Sequence, residues 1–272
     1  MKYIYGKNVF LTGGSSGIGM ATAELFADSG YTVYSASRNP KMQRCQYVGG
    51  GEIIPISLDV RCMDSVKEVA ESVLTQTDIG IVIHCAGVGI AGAGEEYHAT
   101  AIEDLMDTNF NGVLRVNNCF LPHLRKRGSG LCIIVGSVGG VFPIPFQSHY
   151  CASKAALDLY SEALGMELHK YGVHVSLIMP GDTNTGFTTA RKYEIAESSP
   201  YYSDCVSAVG KMEKDELNGK SPGSVARVIL KLVCRKKPPA RVTVGFEYKL
   251  LMFLKRLLPN RLVLFLLRKV YI

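Results

Sequence analysis

Short runs of apolar and β-branched residues alternate along the chain with longer segments in which apolar and polar positions follow a helical period. The apolar runs predict seven strands, at residues 8–12, 32–36, 53–58, 79–85, 131–136, 173–179 and 241–244. Strands separated by helix-length segments are typical of βαβ units and a parallel sheet. The sequence therefore predicts an α/β fold, a doubly wound parallel sheet of seven strands with helices on both faces.

The periodicity is lost between Pro180 and Gly223, where the sequence is polar with scattered aromatic residues. Long irregular segments inside compact domains are usually functional loops or lids. We expect residues 181–222 to form a lid over the substrate site. A single catalytic domain then spans residues 1–245, and residues 246–272 form a C-terminal extension.

Composition narrows the class of protein. The chain has 272 residues, of which 47% are apolar and 20% charged, and this balance is typical of a globular domain with a full core. The eight cysteines form no CxxC pair and the six histidines form no ligand cluster, so we expect reduced thiols and no metal site. The first residues are too few and too polar for a signal peptide, which indicates a cytoplasmic protein. We expect no nucleic-acid partner.

Basic charge is concentrated near the C-terminus. Residues 221–272 hold 12 Lys and Arg against Glu247 alone, although the whole chain carries only +6. Within residues 246–272 the longest uncharged apolar run, residues 262–267, is far shorter than the roughly 20 residues that span a bilayer. Pro259 predicts a break between two helices, residues 248–258 and 261–271. Two interpretations stay open: the helices cover the substrate cleft or form a subunit contact, or they lie on an anionic membrane surface.

A glycine-rich turn follows the first predicted strand and opens a helix. It reads Thr12-Gly13-Gly14-Ser15-Ser16-Gly17-Ile18-Gly19. Glycines let the backbone turn tightly and approach a pyrophosphate, whose charge is held by free N–H groups and the helix dipole. The turn therefore predicts a dinucleotide site whose phosphates contact Gly13, Ser15, Ser16, Gly17, Ile18 and Gly19.

The G-x-x-x-G-x-G spacing after a threonine resembles that of the short-chain dehydrogenases/reductases. Other elements that resemble this family are His84-Cys85-Ala86-Gly87, Asn109, Ser137, the pair Tyr150 and Lys154, and Pro180-Gly181. The resemblance covers about residues 5–190 and implies a Rossmann-type oxidoreductase that uses a nicotinamide cofactor. His84 and Cys85 depart from the two asparagines usual in the family, whose side chains tie strands together, and we expect His84 to hydrogen-bond in their place.

Tyr150 and Lys154 are four residues apart in a helical segment, so their side chains share one face. An ammonium beside a phenol favours the phenolate, although lowering the pKa of Tyr150 by about three units needs roughly 4 kcal/mol from Lys154 together with the oxidised nicotinamide. Tyr150 is the expected general acid in reduction and general base in oxidation. Ser137, at the end of the fifth strand, is expected to stabilise charge on the substrate oxygen. The resemblance implies that Asn109 holds a water connecting Lys154 to solvent.

The residues after the second strand predict the choice of cofactor. Ser37 stands where members of the resembled family that prefer NAD have an aspartate, and Arg38 can pair with a 2′-phosphate. We therefore predict NADP(H). The remaining predicted cofactor contacts are Asp59 and Val60 at the adenine, and Ala86, Gly87, Tyr150, Lys154, Pro180, Gly181, Thr183 and Thr185.

Within the resembled family, the segments around Ser137, Tyr150 and Val173 are most similar to 17β-hydroxysteroid dehydrogenases. Retinol dehydrogenases and acyl-dihydroxyacetone-phosphate reductases share much of the pattern. Apolar residues 141–146 lie between the serine and the tyrosine and predict an apolar pocket mouth. The predicted substrate contacts are Ser137, Val138, Phe142, Phe146, Tyr150 and Phe187.

These features predict an enzyme of steroid or lipid metabolism that acts on a lipophilic small molecule as a homodimer or homotetramer. A hydroxysteroid dehydrogenase for a steroid or bile acid is the first interpretation. The alternatives are a lipid carbonyl reductase acting on acyl-dihydroxyacetone phosphate, retinal or 3-ketosphinganine, and a non-catalytic NADP-binding sensor. The carbonyl position, the stereochemistry and the working direction are not encoded in any residue pattern.

Overall fold

The computed structural model describes residues 3–40 and 43–272. Its strands are β1 (Asn8–Thr12), β2 (Thr32–Ser37), β3 (Cys45–Gln46), β4 (Glu52–Ser57), β5 (Ile81–His84), β6 (Ile90–Ala91), β7 (Gly130–Val135), β8 (Val173–Met179), β9 (Lys192–Tyr193) and β10 (Arg241–Thr243). Its α-helices are α1 (Gly17–Asp28), α2 (Met63–Gln76), α3 (Ala99–Met106), α4 (Gly112–Arg127), α5 (Ser148–Leu168), α6 (Gly186–Thr189), α7 (Tyr202–Leu217), α8 (Pro222–Val233), α9 (Phe246–Leu257) and α10 (Asn260–Tyr271).

The main sheet has the strand order β10-β8-β7-β5-β1-β2-β4-β3. All seven predicted strands are present and pair in parallel. An eighth strand, β3, pairs antiparallel with β4 at the edge of the sheet. It was not predicted because two residues are too few to show an alternation of apolar and polar positions. The strand order reverses between β1 and β5, and ligands of doubly wound sheets bind in the crevice at such a switch point.

Both faces of the sheet are buried. Phe10 of β1 faces one side, where its ring stacks on Phe120 of α4 at a centroid distance of 4.2 Å. Val9 and Leu11 face the other side, in the cluster that contains Phe26 of α1. Successive side chains of β1 therefore enter the hydrophobic cores on the two faces of the sheet in turn, as expected for a parallel sheet covered by helices on each face.

The segment predicted to be irregular, residues 181–222, is only partly so. It contains the short helix α6, the strand β9, which pairs with β6, and the 16-residue helix α7. The expectation of a long loop is wrong for α7, whose buried residues Cys205, Ala208, Val209 and Met212 recur at helical spacing. Small side chains make that stripe only weakly apolar, which explains why it was overlooked.

The C-terminal extension forms the two helices α9 and α10, separated by Leu258 and Pro259 as predicted. Pro259 directly precedes α10, where it cannot donate a backbone hydrogen bond to α9. None of the helices formed by the described residues has the length and apolarity needed to cross a membrane.

Candidate active site

The helix α5 carries Tyr150 and Lys154 on one face beside the carboxyl end of β7. Both side chains are buried, Tyr150 at 9% and Lys154 at 6% exposure. The Lys154 Nζ lies 5.9 Å from the centroid of the Tyr150 ring and donates a hydrogen bond of 3.0 Å to the Val135 carbonyl oxygen. The predicted ammonium–phenol neighbourhood is therefore present, and the end of β7 fixes the ammonium.

Ser137 follows β7 and caps a 3-10 turn, Val138–Gly140. Its Oγ accepts a hydrogen bond of 3.0 Å from the Gly139 N–H, which orients the hydroxyl. Ser137 also lies close enough to Tyr150 to lower the pKa of that phenol. Ser137, Tyr150 and Lys154 thus form one cluster, as their spacing predicts.

Burial shifts the pKa values of Tyr150 and Lys154 in opposite directions. It raises the pKa of Tyr150 to about 12, against a smaller lowering by Ser137, and it lowers the pKa of Lys154 to about 8. Each group is shifted toward its neutral form because the charged form loses hydration in the protein interior. In the protein alone, burial outweighs the expected stabilisation of the phenolate, so Tyr150 holds its proton at neutral pH.

Asn109 lies fully buried in a π-helical turn, Asp107–Asn111, between α3 and α4. Its Oδ1 accepts from the Val88 N–H at 2.8 Å, and its Nδ2 donates to the Val88 carbonyl at 3.0 Å and to Ser153 Oγ at 3.1 Å. Ser153 in turn donates to the Tyr150 carbonyl at 2.7 Å. Asn109 therefore ties the loop after β5 to the helix that carries Tyr150, while its expected role in holding a water stays a prediction.

His84, at the end of β5, replaces the family's strand-tying asparagine. Its Nε2 lies 2.9 Å from the Oδ1 of Asn117 on α4, and the Asn117 Nδ2 donates to the Tyr160 hydroxyl on α5 at 3.1 Å. Burial lowers the pKa of His84 to about 4, so the imidazole is neutral. His84 therefore forms a hydrogen bond as expected, but its partner lies on α4 and not on a neighbouring strand.

The glycine turn fits a dinucleotide phosphate. Gly13 has φ +75°, and a Cβ there would lie 2.5 Å from the Ala86 backbone nitrogen; a Cβ at Gly19 would lie 2.8 Å from the Gly13 carbonyl carbon. Within the described residues, no side chain caps α1: Ser16 makes no capping bond and the first turn holds no acidic residue. The free N–H groups and the dipole of α1 are therefore available to an anion.

Arg38 follows β2 with an exposed side chain, as the 2′-phosphate prediction requires. Its charge reaches the crevice, since it helps to lower the pKa of Asp59, after the larger effect of the Arg61 hydrogen bond. Arg61, which the sequence reading missed, pairs with Asp59 at 2.9 Å and with Asp104 at 3.2 Å. In the part of the chain that the structure describes, Arg38 makes no such ion pair and remains the cation available to a phosphate.

The predicted adenine contacts and the turn after β8 meet this crevice from two sides. Val60 is buried against Gly112, whereas the Asp59 carboxylate also accepts the Arg61 N–H. On the other side Thr183 Oγ1 donates to the Gly181 carbonyl at 2.9 Å. Thr185 lies beside Gly17, because a Cβ added at Gly17 would lie 3.3 Å from the Cβ of Thr185.

The helix α9 covers the turn after β8, which agrees with the interpretation that the C-terminal helices cover the cleft, although the sequence did not identify the contacting residues. A Cβ at Gly181 would lie 2.5 Å from Cδ2 of the Tyr248 ring. The Tyr248 hydroxyl accepts the Asp182 N–H at 3.0 Å and donates to the Asp182 carboxylate. The sequence carries no local signal for this contact, because 66 residues separate the partners.

The aromatic residues predicted to contact the substrate lie in three different places. Phe187 lies over the catalytic tyrosine, with ring centroids 5.7 Å apart. Phe142 instead lies under the Lys255 ammonium, 5.1 Å from its ring centroid, and Lys255 also donates to the Val141 carbonyl. Phe146 packs against a separate buried cluster of Ala91, Cys205, Val209 and Met212.

Phe146 has φ +61°, a left-handed conformation that is rare for a residue with a side chain. Its carbonyl accepts hydrogen bonds from the Gly92 N–H at 2.9 Å and the Tyr97 hydroxyl at 3.2 Å. Strained residues persist only where surrounding contacts hold them, and they concentrate at functional sites. The loop that leads from Ser137 to Tyr150 is therefore held from the segment after β6.

A buried charge cluster lies next to Phe187. The Arg191 side chain is fully buried and pairs with Glu213 at 3.1 Å and with Glu216 at 2.6 Å. Both Arg191 and Glu216 influence the pKa of Tyr150, so the cluster is part of the catalytic environment. Sequence reasoning missed these residues because their pairing joins segments more than twenty positions apart.

Comparisons with known proteins agree with this geometry. The family model of the short chain dehydrogenases matches residues 7–195. A 3-ketodihydrosphingosine reductase from Bacteroides thetaiotaomicron is 38% identical over 240 residues, which cover 87% of this chain and 87% of that protein. The 17-beta-hydroxysteroid dehydrogenase type 1 of Homo sapiens is 36% identical over 189 residues, which cover 66% of this chain but 57% of that protein. The solved structure of a short-chain dehydrogenase from Streptomyces avermitilis has a TM-score of 0.78 at 28% identity and 97% coverage of both chains.

Proposed function

Because this chain belongs to the short-chain dehydrogenase family, we propose that it is an NADP(H)-dependent oxidoreductase that interconverts a ketone and a secondary alcohol on a lipophilic substrate. The observation that carries this proposal is the cluster of Ser137, Tyr150 and Lys154. A sensor that only binds NADP(H) has no need of all three side chains. The available cation Arg38 and the neutral Ser37 favour NADP(H) over NAD.

When bound, the nicotinamide supplies or accepts the hydride. Tyr150 gives its phenolic proton to the carbonyl oxygen during reduction and takes it back from the alcohol during oxidation. Ser137 accepts the Gly139 N–H through its oxygen, so its own proton remains for a hydrogen bond to the substrate oxygen. Lys154 holds a positive charge behind the phenol, and Asn109 keeps α5 in register with the loop after β5.

For the substrate, we infer a long-chain ketone that carries an amino group, of the 3-ketosphinganine type. The relative named as a 3-ketodihydrosphingosine reductase matches 87% of both chains, a broader likeness than that to the human steroid enzyme. The charge near the site agrees, since Arg191 faces two carboxylates, Glu213 and Glu216. The resulting net negative charge suits a substrate ammonium group and repels a phosphate such as that of acyl-dihydroxyacetone phosphate.

A hydroxysteroid is the second candidate. The likeness to the human 17-beta-hydroxysteroid dehydrogenase, 36% identity over 189 residues, supports it. The half-buried apolar side chains Val141, Phe142 and Ile144 would suit the flat apolar face of a steroid.

The test is the loss of NADPH absorbance with a panel of 3-ketosphinganine, a ketosteroid, retinal and acyl-dihydroxyacetone phosphate. We expect the highest kcat/KM with 3-ketosphinganine, and lower values when NADH replaces NADPH. A higher kcat/KM with the ketosteroid would reverse the order of the two candidates. Tight NADPH binding without turnover of any ketone would overturn the proposal of an enzyme and would favour a non-catalytic NADP-binding sensor.

We further propose that the enzyme assembles as a homodimer or homotetramer. Leu159 and Met166 of α5 are seven positions apart and exposed, so they lie on one apolar strip of that helix. Multi-angle light scattering of the full chain measures the assembly, and a mass equal to one chain at all concentrations would contradict it. Lipophilic substrates partition into membranes. We therefore also propose that the C-terminal helices contact a membrane surface.

A further inference from the structure

The helices α9 and α10 each turn one narrow face toward the protein. In α9 that face consists of Tyr248, Met252 and Lys255, at positions i, i+4 and i+7. Tyr248 bonds with Asp182, Met252 packs on the core beneath, and Lys255 donates to the Val141 carbonyl. These contacts fix the rotation of α9 about its own axis, so its opposite face points outward.

The outward face of α9 is apolar. It carries Phe246, Leu250, Phe253, Leu254 and Leu257, all exposed, with Phe253 at 58%. Their spacing of i, i+4, i+7, i+8 and i+11 defines one stripe on an α-helix. In a globular protein such a stripe normally faces a core, whereas here the core side of α9 is already occupied by other residues.

The helix α10 repeats this arrangement. Val263 is buried and Tyr271 packs against the buried cluster of Cys205, Val209 and Met212, while Leu262, Phe265 and Leu266 are exposed on the other side. Lys211 of α7 donates to the Val270 carbonyl at 2.7 Å and fixes the end of the helix. In the ranges 3–40 and 43–272, twelve of the 19 exposed large apolar side chains belong to residues 246–272. This concentration marks an interaction surface.

Charge selects the partner. Five exposed cations flank the apolar stripes: Lys249, Arg256, Arg261, Arg268 and Lys269. Glu247 is the single acidic residue of the segment, and it pairs with Lys220 at 2.8 Å. A second copy that presented the same face would bring like charges together, whereas an anionic lipid surface complements both the cations and the apolar side chains.

We propose that the outward face of α9 and α10 docks the enzyme on the surface of a bilayer that contains anionic lipids, with both helices lying in the interface. This proposal deepens the proposed action on a lipophilic substrate by naming the surface that supplies it. Its supporting observations are exposure, helical spacing and charge, none of which depends on turnover.

The docking face is adjacent to the active site. The inner side of α9 contacts Asp182 in the turn after β8 and Val141 after the Ser137 turn. These two loops flank the crevice that contains Tyr150. A helix is about 10 Å across, so docking brings the bilayer to within roughly one helix diameter of both loops.

The first test is sedimentation of the full-length protein with vesicles of phosphatidylcholine alone and with about 30% phosphatidylserine, at low and high salt. We expect binding to the anionic vesicles at low salt, weaker binding at high salt, and little binding to neutral vesicles. Absence of binding to anionic vesicles at low salt would overturn the proposal, as would equal binding to both compositions.

The second test uses matched variants. Phe253→Ser with Phe265→Ser removes two outward apolar side chains, and we expect at least a tenfold loss of binding to anionic vesicles. The control pair Val48→Ser with Val206→Ser removes exposed apolar side chains outside the C-terminal helices and is expected to stay within about twofold of wild type. An equal loss of vesicle binding in the two double variants would refute the docking face. So would a change in oligomeric mass, without a change in vesicle binding, when Phe253 and Phe265 are replaced.

Charge-reversal variants distinguish attraction of the docking face to anionic lipids from an effect of the protein's net charge. Each basic residue near an anionic surface strengthens binding about fivefold, so Arg256→Glu with Arg268→Glu should weaken it at least about 25-fold. Lys231→Glu with Lys236→Glu changes the net charge equally but lies outside the face, and the same loss there would refute the proposal. NADPH turnover with a small ketone in the absence of lipid shows that each variant is folded, so failure of docking is distinguishable from failure of the proposed catalysis.

Discussion

Tyr150 and Lys154 are buried together, and the same physical cause moves their pKa values in opposite directions, to about 12 and about 8. At neutral pH the phenol therefore holds its proton and the ammonium keeps its charge. This is the state that a general acid for ketone reduction requires. Oxidation needs the phenolate, whose formation depends on the additional positive charge of the oxidised cofactor.

The first prediction concerns the pH dependence of ketone reduction. Lys154 is charged below its pKa of about 8, so kcat should be level near neutrality and fall as the pH rises through about 8. Tyr150 does not cause the fall, because its own pKa of about 12 keeps the phenol protonated over this range. A kcat that stays level to about pH 10 would contradict the assignment.

Removal of the Tyr150 hydroxyl should abolish turnover without loss of cofactor binding. In Tyr150→Phe the ring remains and the transferable proton is lost, so kcat should fall by roughly 10² to 10⁴. Fluorescence titration should give an NADPH affinity close to that of wild type. Tyr160→Phe removes another hydroxyl from α5 and should keep most of the activity; a loss as large as that of Tyr150→Phe would make the effect structural.

Arg38 is predicted to determine the preference between NADPH and NADH. Ser37→Asp combined with Arg38→Ala replaces the available cation with a carboxylate that can accept bonds from a ribose hydroxyl, and should shift kcat/KM toward NADH. Arg44→Ala, which removes a nearby exposed cation paired with Glu52, should leave the preference unchanged. If the double variant still prefers NADPH strongly, a cation other than Arg38 recognises the phosphate.

At the scale of elements, polar bonds join β5, α4 and α5. His84, Asn117 and Tyr160 form one such connection through the core. Asn109 forms another from its π-helical turn, whose extra residue redirects side chains locally. These bonds cross between elements and hold the Tyr150 helix against the loop that follows β5.

His84→Leu should destabilise the protein more than His84→Asn. Leucine leaves the buried Asn117 amide without its partner, at a cost of about 1–3 kcal/mol in the free energy of unfolding, whereas asparagine can replace the bond. Because the folded-state pKa of His84 is lowered to about 4, its contribution is complete above the unfolded value of about 6.5 and is lost as the pH falls from there toward 4. Thermal melts between those pH values measure this, and equal acid sensitivity in His84→Asn would contradict it.

The elements read most reliably from the sequence are those that carry their own local pattern. The seven parallel strands and the pair Tyr150 and Lys154 follow from alternation or fixed spacing within a few residues. The helix α7 was missed because small and polar residues dilute its buried stripe. Contacts such as Arg191 with Glu216 and Tyr248 with Asp182 join distant segments, so no local pattern announces them.

At the scale of the whole molecule, the C-terminal helices lie across loops of the active site and carry twelve of the 19 exposed large apolar side chains among the residues that the structure describes. Tyr150 and Lys154 are almost inaccessible in this arrangement. The sequence left open whether the tail covers the cleft or meets a membrane, and the inward and outward faces of the same helices allow both.

We propose above all that this protein transfers a hydride between NADPH and a lipophilic ketone with Tyr150 as the proton donor. This proposal is tested most directly by incubating the enzyme with NADPH deuterated at both positions of the nicotinamide C4 and 3-ketosphinganine or a ketosteroid, followed by mass spectrometry of the alcohol. We predict that the wild-type product carries deuterium on the carbinol carbon and that Tyr150→Phe forms no such product above background. An alcohol without deuterium, or an equal yield from Tyr150→Phe, would contradict the account.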